Sequence, residues 1–318
     1  SQLFFNDQIN QSPFLQLTLL KSWITGSESL LSKFMPTRQT SCLLSLEREN
    51  PISFVIAKPT NRNGTCWSLS TPEKIKSPEQ LSLRSVNYEL IQKTIQIGEI
   101  QAKSWINRSS TLDLEHLSIM RELGFQPLKY LNYWKFSGNK LKDTSSGKSF
   151  DLLTDIEWNP LTKKNAKLLW SVEKSGESSL LKQILDRKWI DLLDQNALGS
   201  GVLLTNNSEA RVALLGLVSR LKLKGHKVFE IKRDIAWDKR IESVLPIILD
   251  NLLKSSQNIT LEISKEDKEL NKILEEIGWE NTEEKVLLGR SLWKRNLNNN
   301  LMPNKRSLDS MLGSLQPQ

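Results

Sequence analysis

Helix, glycine stop and strand follow one another in Met120-Arg-Glu-Leu-Gly-Phe-Gln-Pro-Leu-Lys-Tyr-Leu-Asn-Tyr-Trp-Lys-Phe136. An apolar stripe at helical spacing ends at Gly124, and the aromatic and polar residues that alternate after it are typical of a strand. A second copy starts at Leu274-Glu-Glu-Ile-Gly-Trp-Glu280, where the helical pattern stops at Gly278 and a strand is expected at 285–295. The unit therefore occurs twice.

The similarity between the two copies extends upstream, which distinguishes a duplication from a chance match of two short helices. An alternating strand precedes each short helix, at 103–108 and at 258–264. A long helix precedes each of these strands, at 83–100 in the first copy and at 239–253 in the second. The chain is therefore predicted to contain two tandem domains of the same kind.

Length and composition agree with two ordinary globular domains. The chain has 318 residues, with 38% hydrophobic and 25% charged residues, so each half can bury a core without disulfides or metal. It contains no apolar run of membrane-spanning length, and residues 1–10 lack the pattern of a secretory signal. Cys42 and Cys66 suit reduced, buried thiols better than a disulfide or a zinc site. These features predict a cytoplasmic protein.

The formal net charge of +8 could favour an acidic partner such as nucleic acid or a phosphorylated cofactor. The basic residues are scattered along the chain, which indicates a solvated surface more than a nucleic-acid interface. Association with nucleic acid or with the ribosome therefore rests only on the net charge and on Lys305 and Arg306 near the C-terminus.

The order of long helix, strand, short helix, Leu-Gly-Phe or Ile-Gly-Trp and closing strand resembles the second half of a GNAT acetyltransferase domain. In that family the short helix ends in a similar Leu-Gly-Phe. The resemblance covers most of the chain and implies an α/β fold of two tandem GNAT-like domains, each a mixed, mostly antiparallel sheet flanked by helices. The phrases Leu185-Asp-Arg187, Asp191-Leu-Leu-Asp-Gln195 and Gly289-Arg-Ser-Leu-Trp293 also resemble uncharacterised cyanobacterial members.

The predicted division is a first GNAT-like domain at 1–138, a linker at 139–149, a second GNAT-like domain at 150–297 and a mobile tail at 298–318. The linker is rich in Gly, Ser and Lys and has no apolar period. The other predicted elements are helices at 12–23, 28–34, 163–174 and 178–194, strands at 42–47, 52–59, 65–70, 150–158 and 202–205, a polar loop at 73–80, and a hairpin of 211–223 with 226–231.

The resemblance implies acetyl-CoA as the cofactor, because the family binds its pyrophosphate at the start of the long helix in a loop of the type Arg/Gln-x-x-Gly-x-Gly/Ala. Backbone N–H groups and the helix dipole favour an anion at such a helix start, and glycines allow its close approach. Here the loop is degraded, since the glycine places counted from Arg84 and from Arg240 hold side chains that would block that approach: Asn87, Glu89, Ser243 and Leu245.

The predicted cofactor-binding residues are Lys239 and Arg240 in the second domain and Arg84 in the first. Two cations at a helix start are unfavourable for the helix alone, so they favour the second domain as the one that holds an anion. Asp238 weakens this argument, because as the cap it would already neutralise that end of the helix.

Catalytic residues of the family are poorly matched. Many members use a tyrosine, four residues before the glycine, as the acid that protonates the thiolate leaving group, and Met120 and Leu274 hold these places. Many also use an acidic residue on the fourth strand as the general base. Residues 65–70 of the first domain offer no carboxylate, whereas Glu230 and Asp234 of the second could serve. Glu230 is the predicted base, although a charged residue on an alternating strand is more often part of its solvated face.

The other candidate residues in the sequence do not indicate a metal, nucleophile or phosphate site. His116 and His226 have no metal-ligand spacing and no nucleophile motif beside them, so no metal is expected. Gly199-Ser-Gly201 precedes a strand instead of a helix, which favours a plain turn over a phosphate loop.

The resemblance therefore predicts an acyl-CoA-dependent N-acetyltransferase with a degraded or weak active site, acting on an unknown amine or protein acceptor. The alternative is a non-catalytic tandem-GNAT scaffold or binding module that uses the cleft between the domains. Association with nucleic acid is the third and least favoured function.

Overall fold

The structure is a computed structural model that describes residues 41–47, 50–98, 102–138, 155–194, 199–205, 211–221, 227–255 and 258–292. Several predicted features lie outside these ranges: the helices at 12–23 and 28–34, the linker at 139–149, the hairpin turn with His226, Lys305 and Arg306, and the tail at 298–318.

The first half follows the predicted order of elements. A two-residue strand forms within the predicted polar loop at 73–80 because its backbone pairs with the neighbouring strand, Ser53 with Lys74 and Phe54 with Glu73. The elements are β1 (Ser41–Glu47), β2 (Asn50–Pro59), β3 (Cys66–Leu69), β4 (Glu73–Lys74), α1 (Leu83–Gly98), β5 (Ser104–Ser110), α2 (Leu114–Glu122) and β6 (Gln126–Phe136).

The second half repeats the last part of this order and precedes it with three helices and four strands. Its elements are β7 (Ile156–Pro160), α3 (Lys163–Gly176), α4 (Ser179–Leu185), α5 (Trp189–Asp194), β8 (Gly201–Thr205), β9 (Ala213–Leu221), β10 (Lys227–Arg233), α6 (Arg240–Ser255), β11 (Ile259–Ser264), α7 (Lys268–Glu276) and β12 (Trp279–Ser291).

The duplicated unit is present in both halves with matching local chemistry. Asp113 and Asp267 are the N-caps of α2 and α7, and each carboxylate accepts a backbone N–H of the first helical turn. Gly124 and Gly278 follow these helices with φ of 83° and 89°, the left-handed conformation that glycine adopts without steric cost. The glycine stop predicted from the sequence is confirmed in both copies.

Three predicted elements differ from the structure. The strand predicted at 150–158 is seen, within the described residues, as β7 at Ile156–Pro160. The single helix at 178–194 is divided into α4 and α5, because Asp186 adopts φ of 43° and its carboxylate accepts a hydrogen bond from Thr65 Oγ1 at 2.7 Å. The strand predicted at 285–295 begins at Trp279, directly after the glycine, because the polar run at 280–284 pairs with β6 across a bulge between Asn281 and Glu283.

All twelve strands belong to one sheet, with β4 attached to β2 and the others in the order β1-β2-β3-β5-β12-β6-β11-β10-β9-β8-β7. β3 and β5 are parallel, as are β10 and β11, and the other neighbouring pairs are antiparallel. This confirms the predicted mixed, mostly antiparallel α/β fold. It also shows an exchange of strands, since β12 lies between β5 and β6 of the first half, and β6 lies between β12 and β11 of the second.

The helices of each duplicated unit cover one part of the sheet. α1 and α2 enclose a core that contains Trp105, Met120 and Val286, the last of these contributed by β12 of the second half. α6 and α7 enclose a second core that contains Trp134 of β6 from the first half, 6% exposed. Trp134 of the first half is therefore buried in the core of the other half.

α4 of the second half packs on strands of both halves and holds them together. Leu181 and Ile184 belong to a cluster with Ile106 of β5, Leu131 of β6 and Leu287 of β12. Backbone groups of α4 and of the residue that ends it also accept hydrogen bonds from the first half: Ser104 Oγ to Ile184 O at 2.5 Å, Asn61 Nδ2 to Leu185 O at 3.2 Å and Asn61 Nδ2 to Asp186 O at 3.0 Å. The two halves thus share core and polar contacts on this face of the sheet.

Candidate functional site

The parallel pair in the second half opens at its C-terminal end. β10 and β11 pair from Lys227 and Ile259 to Glu230 and Glu262 and then separate, while β10 stays paired with β9 as far as Arg233. We call the gap beyond Glu230 and Glu262 the second slot. The head of the long helix α6 follows shortly after the end of β10, so the second slot and that helix head are close along the chain.

An ion pair crosses the second slot. Arg233, the last residue of β10, donates to the carboxylate of Asp267, the N-cap of α7, from Nε at 2.7 Å and from Nη2 at 3.0 Å. The Arg233 guanidinium also lies over the ring of Trp237, 5.1 Å from its centroid. The side chains of this half therefore bridge the space between the end of β10 and the start of α7.

A carboxylate of the chain itself, that of Asp238, lies at the N-terminus of α6. The Asp238 carboxylate accepts the backbone N–H of Arg240 at 2.9 Å and hydrogen bonds from its guanidinium, the shortest from Nη2 at 2.6 Å. The hydrogen bond from Arg240 lowers the pKa of Asp238. Lys239 is exposed and Arg240 is half-buried. Since Asp238 neutralises Arg240, the premise of two uncompensated cations does not hold, and the assignment of the cofactor to the second domain stays a prediction.

The parallel pair of the first half also ends at a gap. β3 and β5 pair from Cys66 and Ser104 to Leu69 and Asn107, where β3 ends. We call the gap beyond Leu69 and Asn107 the first slot. Asn107 Nδ2 donates to Leu69 O at 3.2 Å, so the side chain of β5 replaces the next ladder hydrogen bond between the strands.

Carboxylates also surround the head of α1. Glu47 at the end of β1 accepts the backbone N–H groups of Glu79 at 2.7 Å and Gln80 at 2.9 Å, shortly before the helix begins. Arg84 in the first turn forms an exposed ion pair with Glu122 of α2. Both helix heads that the resemblance assigns to a pyrophosphate are thus beside carboxylates of the chain itself.

Glu230, the predicted general base, lies within a buried ionic network. Its carboxylate is 3.1 Å from Lys232 Nζ and 3.8 Å from Arg187 Nη1. The same two cations contact Glu173 at 2.8 Å and 2.9 Å, and Lys232 is 3.6 Å from Glu177. A carboxylate between two cations is stabilised in its charged form and is a weak proton acceptor. Whether Glu230 acts as a base stays a prediction.

Burial and ion pairing oppose each other in this network. Burial alone would raise the pKa of Glu173, but Lys232 and Arg187 hold that pKa below its usual value. Burial alone would lower the pKa of Lys232 and of Arg187, and the glutamates raise both pKa values instead. Glu173, Lys232 and Arg187 are therefore charged at neutral pH. The alternation of Glu230 and Lys232 on one strand face was visible in the sequence, whereas the contribution of Arg187 was not.

The tyrosine places of the family are core positions here. Met120 and Leu274 are fully buried under α1 and α6, which confirms the expectation that they suit an apolar stripe. Cys66 is buried and Cys42 is half-buried, both as free thiols, and burial raises the pKa of Cys42 to about 11. These residues contribute packing and no proton transfer at neutral pH.

A cleft of about 310 Å³ lies between α1 and the end of α2. Arg290 of β12 reaches it from the second half, so the strand exchange completes this cleft. The cleft could not be predicted from the sequence, because its residues come together only through that exchange. The cleft is lined by Tyr88, Gln92, Ile95, Gln96, Glu122, Leu123, Gly124 and Arg290.

In the part of the chain that the structure describes, no group of three or more His, Cys, Asp or Glu side chains could hold a metal ion. Among the helices within the described ranges, none combines the length and the apolar character needed to cross a bilayer.

Solved GNAT proteins have a similar arrangement of strands and helices. A GCN5-related N-acetyltransferase from Sphaerobacter thermophilus is similar over 84% of this chain and 86% of its own, with 10% identity and a TM-score of 0.53. A tandem GNAT protein from the clavulanic acid biosynthesis pathway is similar over 81% of this chain and 85% of its own, with 6% identity and a TM-score of 0.50.

A Drosophila protein solved in a structural genomics programme is also similar, over 88% of this chain and 89% of its own, with 12% identity and a TM-score of 0.50. No protein-family model and no curated protein matches the sequence. The chain therefore has the fold of the GNAT acetyltransferases in a tandem arrangement, as the sequence predicted. The narrower cyanobacterial resemblance stays a prediction.

Proposed function

We propose that the protein is an acyl-CoA-dependent N-acyltransferase, with acetyl-CoA as the acyl donor and an amine, free or on a protein, as the acceptor. The observation that carries this proposal is the repeated slot. In each half a parallel strand pair extends over four residues and ends, and a long helix begins shortly after the first strand of the pair. A helix head of this kind offers N–H donors and a positive dipole end to a phosphate.

The residues that would face the phosphates are Arg84 at the head of α1 and Lys239 and Arg240 at the head of α6. In both halves a phosphate would have to compete with a carboxylate, Glu47 beside α1 and Asp238 at α6. Glycines that would let a pyrophosphate approach the backbone are replaced in both loops. We therefore expect weak binding of acetyl-CoA and a slow enzyme.

Thermal melting with and without acetyl-CoA tests the proposal. A ligand at about 100 times its dissociation constant adds about 2.7 kcal/mol of stability, which raises the melting temperature of a chain of this size by several degrees. Inorganic pyrophosphate at the same concentration is the control for general anion binding. A shift with acetyl-CoA and none with pyrophosphate supports the proposal, and no shift at millimolar acetyl-CoA removes it.

The second candidate is a non-catalytic tandem-GNAT module, and one observation favours it. The Arg233–Asp267 pair closes the second slot, and Asp238 fills the head of the helix beside it. A half that has filled its slot with its own side chains needs no cofactor for stability. This candidate predicts no acetyl-CoA shift in wild type and a small one when Arg233→Met opens the slot.

A further inference from the structure

A buried polar cluster that includes Asn107, the last paired residue before the first slot, has no counterpart in the second half. Asn107 and Ser109 of β5 and His116 of α2 are 0%, 1% and 4% exposed. Ser109 Oγ donates to Asn107 Oδ1, and His116 Nε2 lies 3.4 Å from the same oxygen. Burying three polar side chains costs free energy unless each is satisfied, so their presence needs a reason.

The second half provides an internal control for these positions. Counted back from Gly124 and from Gly278, the equivalents of Asn107, Ser109 and His116 are Leu261, Ile263 and Leu270. All three are buried and apolar, at 0%, 1% and 1% exposure. Strand pairing confirms this equivalence. Asn107 lies opposite Leu288, and Leu261 lies opposite Trp134. Leu288 and Trp134 are themselves equivalent when counted from Gly278 and Gly124. The fold therefore does not require polar side chains at these places.

Hydrogen bonding fixes the protonation of the histidine ring. Asn107 Nδ2 donates to Leu69 O, so Asn107 Oδ1 is the atom that faces Ser109 and His116. A carbonyl oxygen can only accept, so His116 Nε2 must carry the proton that it shares with Asn107. In the neutral ring Nδ1 is then an unprotonated acceptor. It is buried and has no hydrogen-bond partner among the described residues.

The ring is held in the neutral form. Burial lowers the pKa of His116, and this effect exceeds the opposing attraction of Asp113. A neutral imidazole with an unpaired nitrogen, oriented through its other nitrogen by an amide, is the arrangement of a general base. The β5–α2 turn beside it is open to solvent, with Leu112 88% exposed.

We propose that the first slot is the site of acyl transfer and that His116 Nδ1 accepts the proton of the acceptor amine. This rests on the proposed function. The amine nitrogen bonds to the thioester carbonyl carbon, the carbon–sulfur bond breaks, and its electron pair leaves with the sulfur as thiolate. The extra proton of the amine nitrogen passes to Nδ1. Asn107 and Ser109 are positioning residues, because they hold the ring by Nε2 and leave Nδ1 without a protein partner.

Nitrogen NMR on the intact chain tests the geometry directly. The chain has two histidines, so histidine-selective labelling gives two sets of ring signals, and His116→Leu identifies which belongs to His116. We expect the Nε2–H tautomer at neutral pH and a shift of the Nδ1 signal on addition of acetyl-CoA. An Nδ1–H tautomer overturns the proposal, and so does an unmoved Nδ1 signal at an acetyl-CoA concentration that stabilises the protein.

Turnover is the second readout, with thiol release from acetyl-CoA in the presence of ethylamine as the probe acceptor. Loss of a general base lowers such rates by about 100-fold to 10,000-fold, and we expect a fall in this range for His116→Leu. Acetyl-CoA stabilisation should persist in the variant. An unchanged rate in His116→Leu overturns the role of His116, and so does a wild-type rate no faster than the uncatalysed reaction. If the wild-type protein does not bind acetyl-CoA at all, the proposed function itself is removed.

A triple variant distinguishes a catalytic role of the polar cluster from a structural one. Asn107→Leu, Ser109→Ile and His116→Leu together give the first half the residues that the second half already packs at these places. We expect a melting temperature equal to or above that of wild type, together with loss of turnover. A melting temperature lowered by several degrees shows that the cluster is structural and overturns the proposal.

Discussion

The two slots occupy equivalent places in the duplicated halves, yet their side chains differ in kind. Beside the second slot Arg233 reaches across to Asp267, and the positions equivalent to the polar cluster of the first half are apolar core. Beside the first slot the same backbone places carry Asn107, Ser109 and His116. The two halves therefore share a backbone frame but differ in side chains. In the second half these positions pack an apolar core, whereas in the first half they hold buried polar groups that packing does not need.

Because the halves exchange strands, neither can fold independently of the other. Expressing them separately is therefore expected to have the largest effect on stability. Expressed alone, residues 1–148 lose β12 from the middle of their sheet, and residues 149–318 lose β6 with its buried Trp134. We expect neither fragment to show a cooperative unfolding transition by calorimetry, and their co-expression to restore one. A sharp transition in either fragment alone contradicts the exchange.

The ionic network beside the second slot gives the next largest effect. Lys232→Met removes one of the two cations that contact the buried Glu173 and the half-buried Glu230. Removal of one partner from a buried network costs about 3–5 kcal/mol, because the remaining charges lose compensation. Urea unfolding measures this change. The control is Arg62→Met, which breaks an exposed pair with Asp194 and is expected to cost about 0–1 kcal/mol.

The same network makes stability depend on pH. The pKa of Glu173 is lower in the folded chain than its ordinary value, so the folded state binds this proton less readily than the unfolded state. The stabilisation is complete above the unfolded pKa and is lost as pH falls through the folded pKa. We expect the unfolding free energy of wild type to fall between about pH 5 and pH 3 more steeply than that of Glu173→Gln. Parallel curves would show that Glu173 contributes nothing to acid unfolding.

Substitution of the two glycines that end α2 and α7 is expected to have the smallest effect on the unfolding free energy, and a similar one in both halves. Gly124→Ala and Gly278→Ala each place a side chain at φ of 83° and 89°, which costs roughly 1–2 kcal/mol. Because the two glycines are equivalent, the two costs should agree, and urea unfolding can compare them directly. A cost confined to one half would show that the copies differ in local backbone as well as in side chains.

Sequence periodicity predicted the duplicated unit because its causes are local. An apolar stripe, the capping Asp113 or Asp267 and a following glycine define helix and stop within a few residues. The strand exchange could not be predicted, since β6 and β12 alternate in the same way whichever half they join. The break at Asp186 was also missed, because Thr65 from the other half holds that residue.

The candidate site shows the same division between local and long-range causes. The side chains at the glycine places of the loops, the apolar Met120 and Leu274, and the cap Asp238 were readable from the sequence. The carboxylate of Glu47 near the head of α1 was not, because it depends on a folded contact. His116 carried no motif in the sequence. Its signal was the difference between the copies, a histidine where the second copy has Leu270, and comparison of the two registers position by position would have found it.

Titration calorimetry with acetyl-CoA on Arg84→Glu and Arg240→Glu tests most directly which slot holds the cofactor. Each variant reverses one charge at the head of one long helix, and Lys254→Glu, which reverses an exposed charge at the opposite end of α6, is the matched control. We predict that Arg84→Glu weakens acetyl-CoA binding by about tenfold or more, which is about 1.4 kcal/mol, while Arg240→Glu and the control bind as wild type. Loss of binding in Arg240→Glu with Arg84→Glu unaffected would place the cofactor in the second half, as the cations at the start of α6 first indicated, and would contradict the assignment of acyl transfer to the first slot.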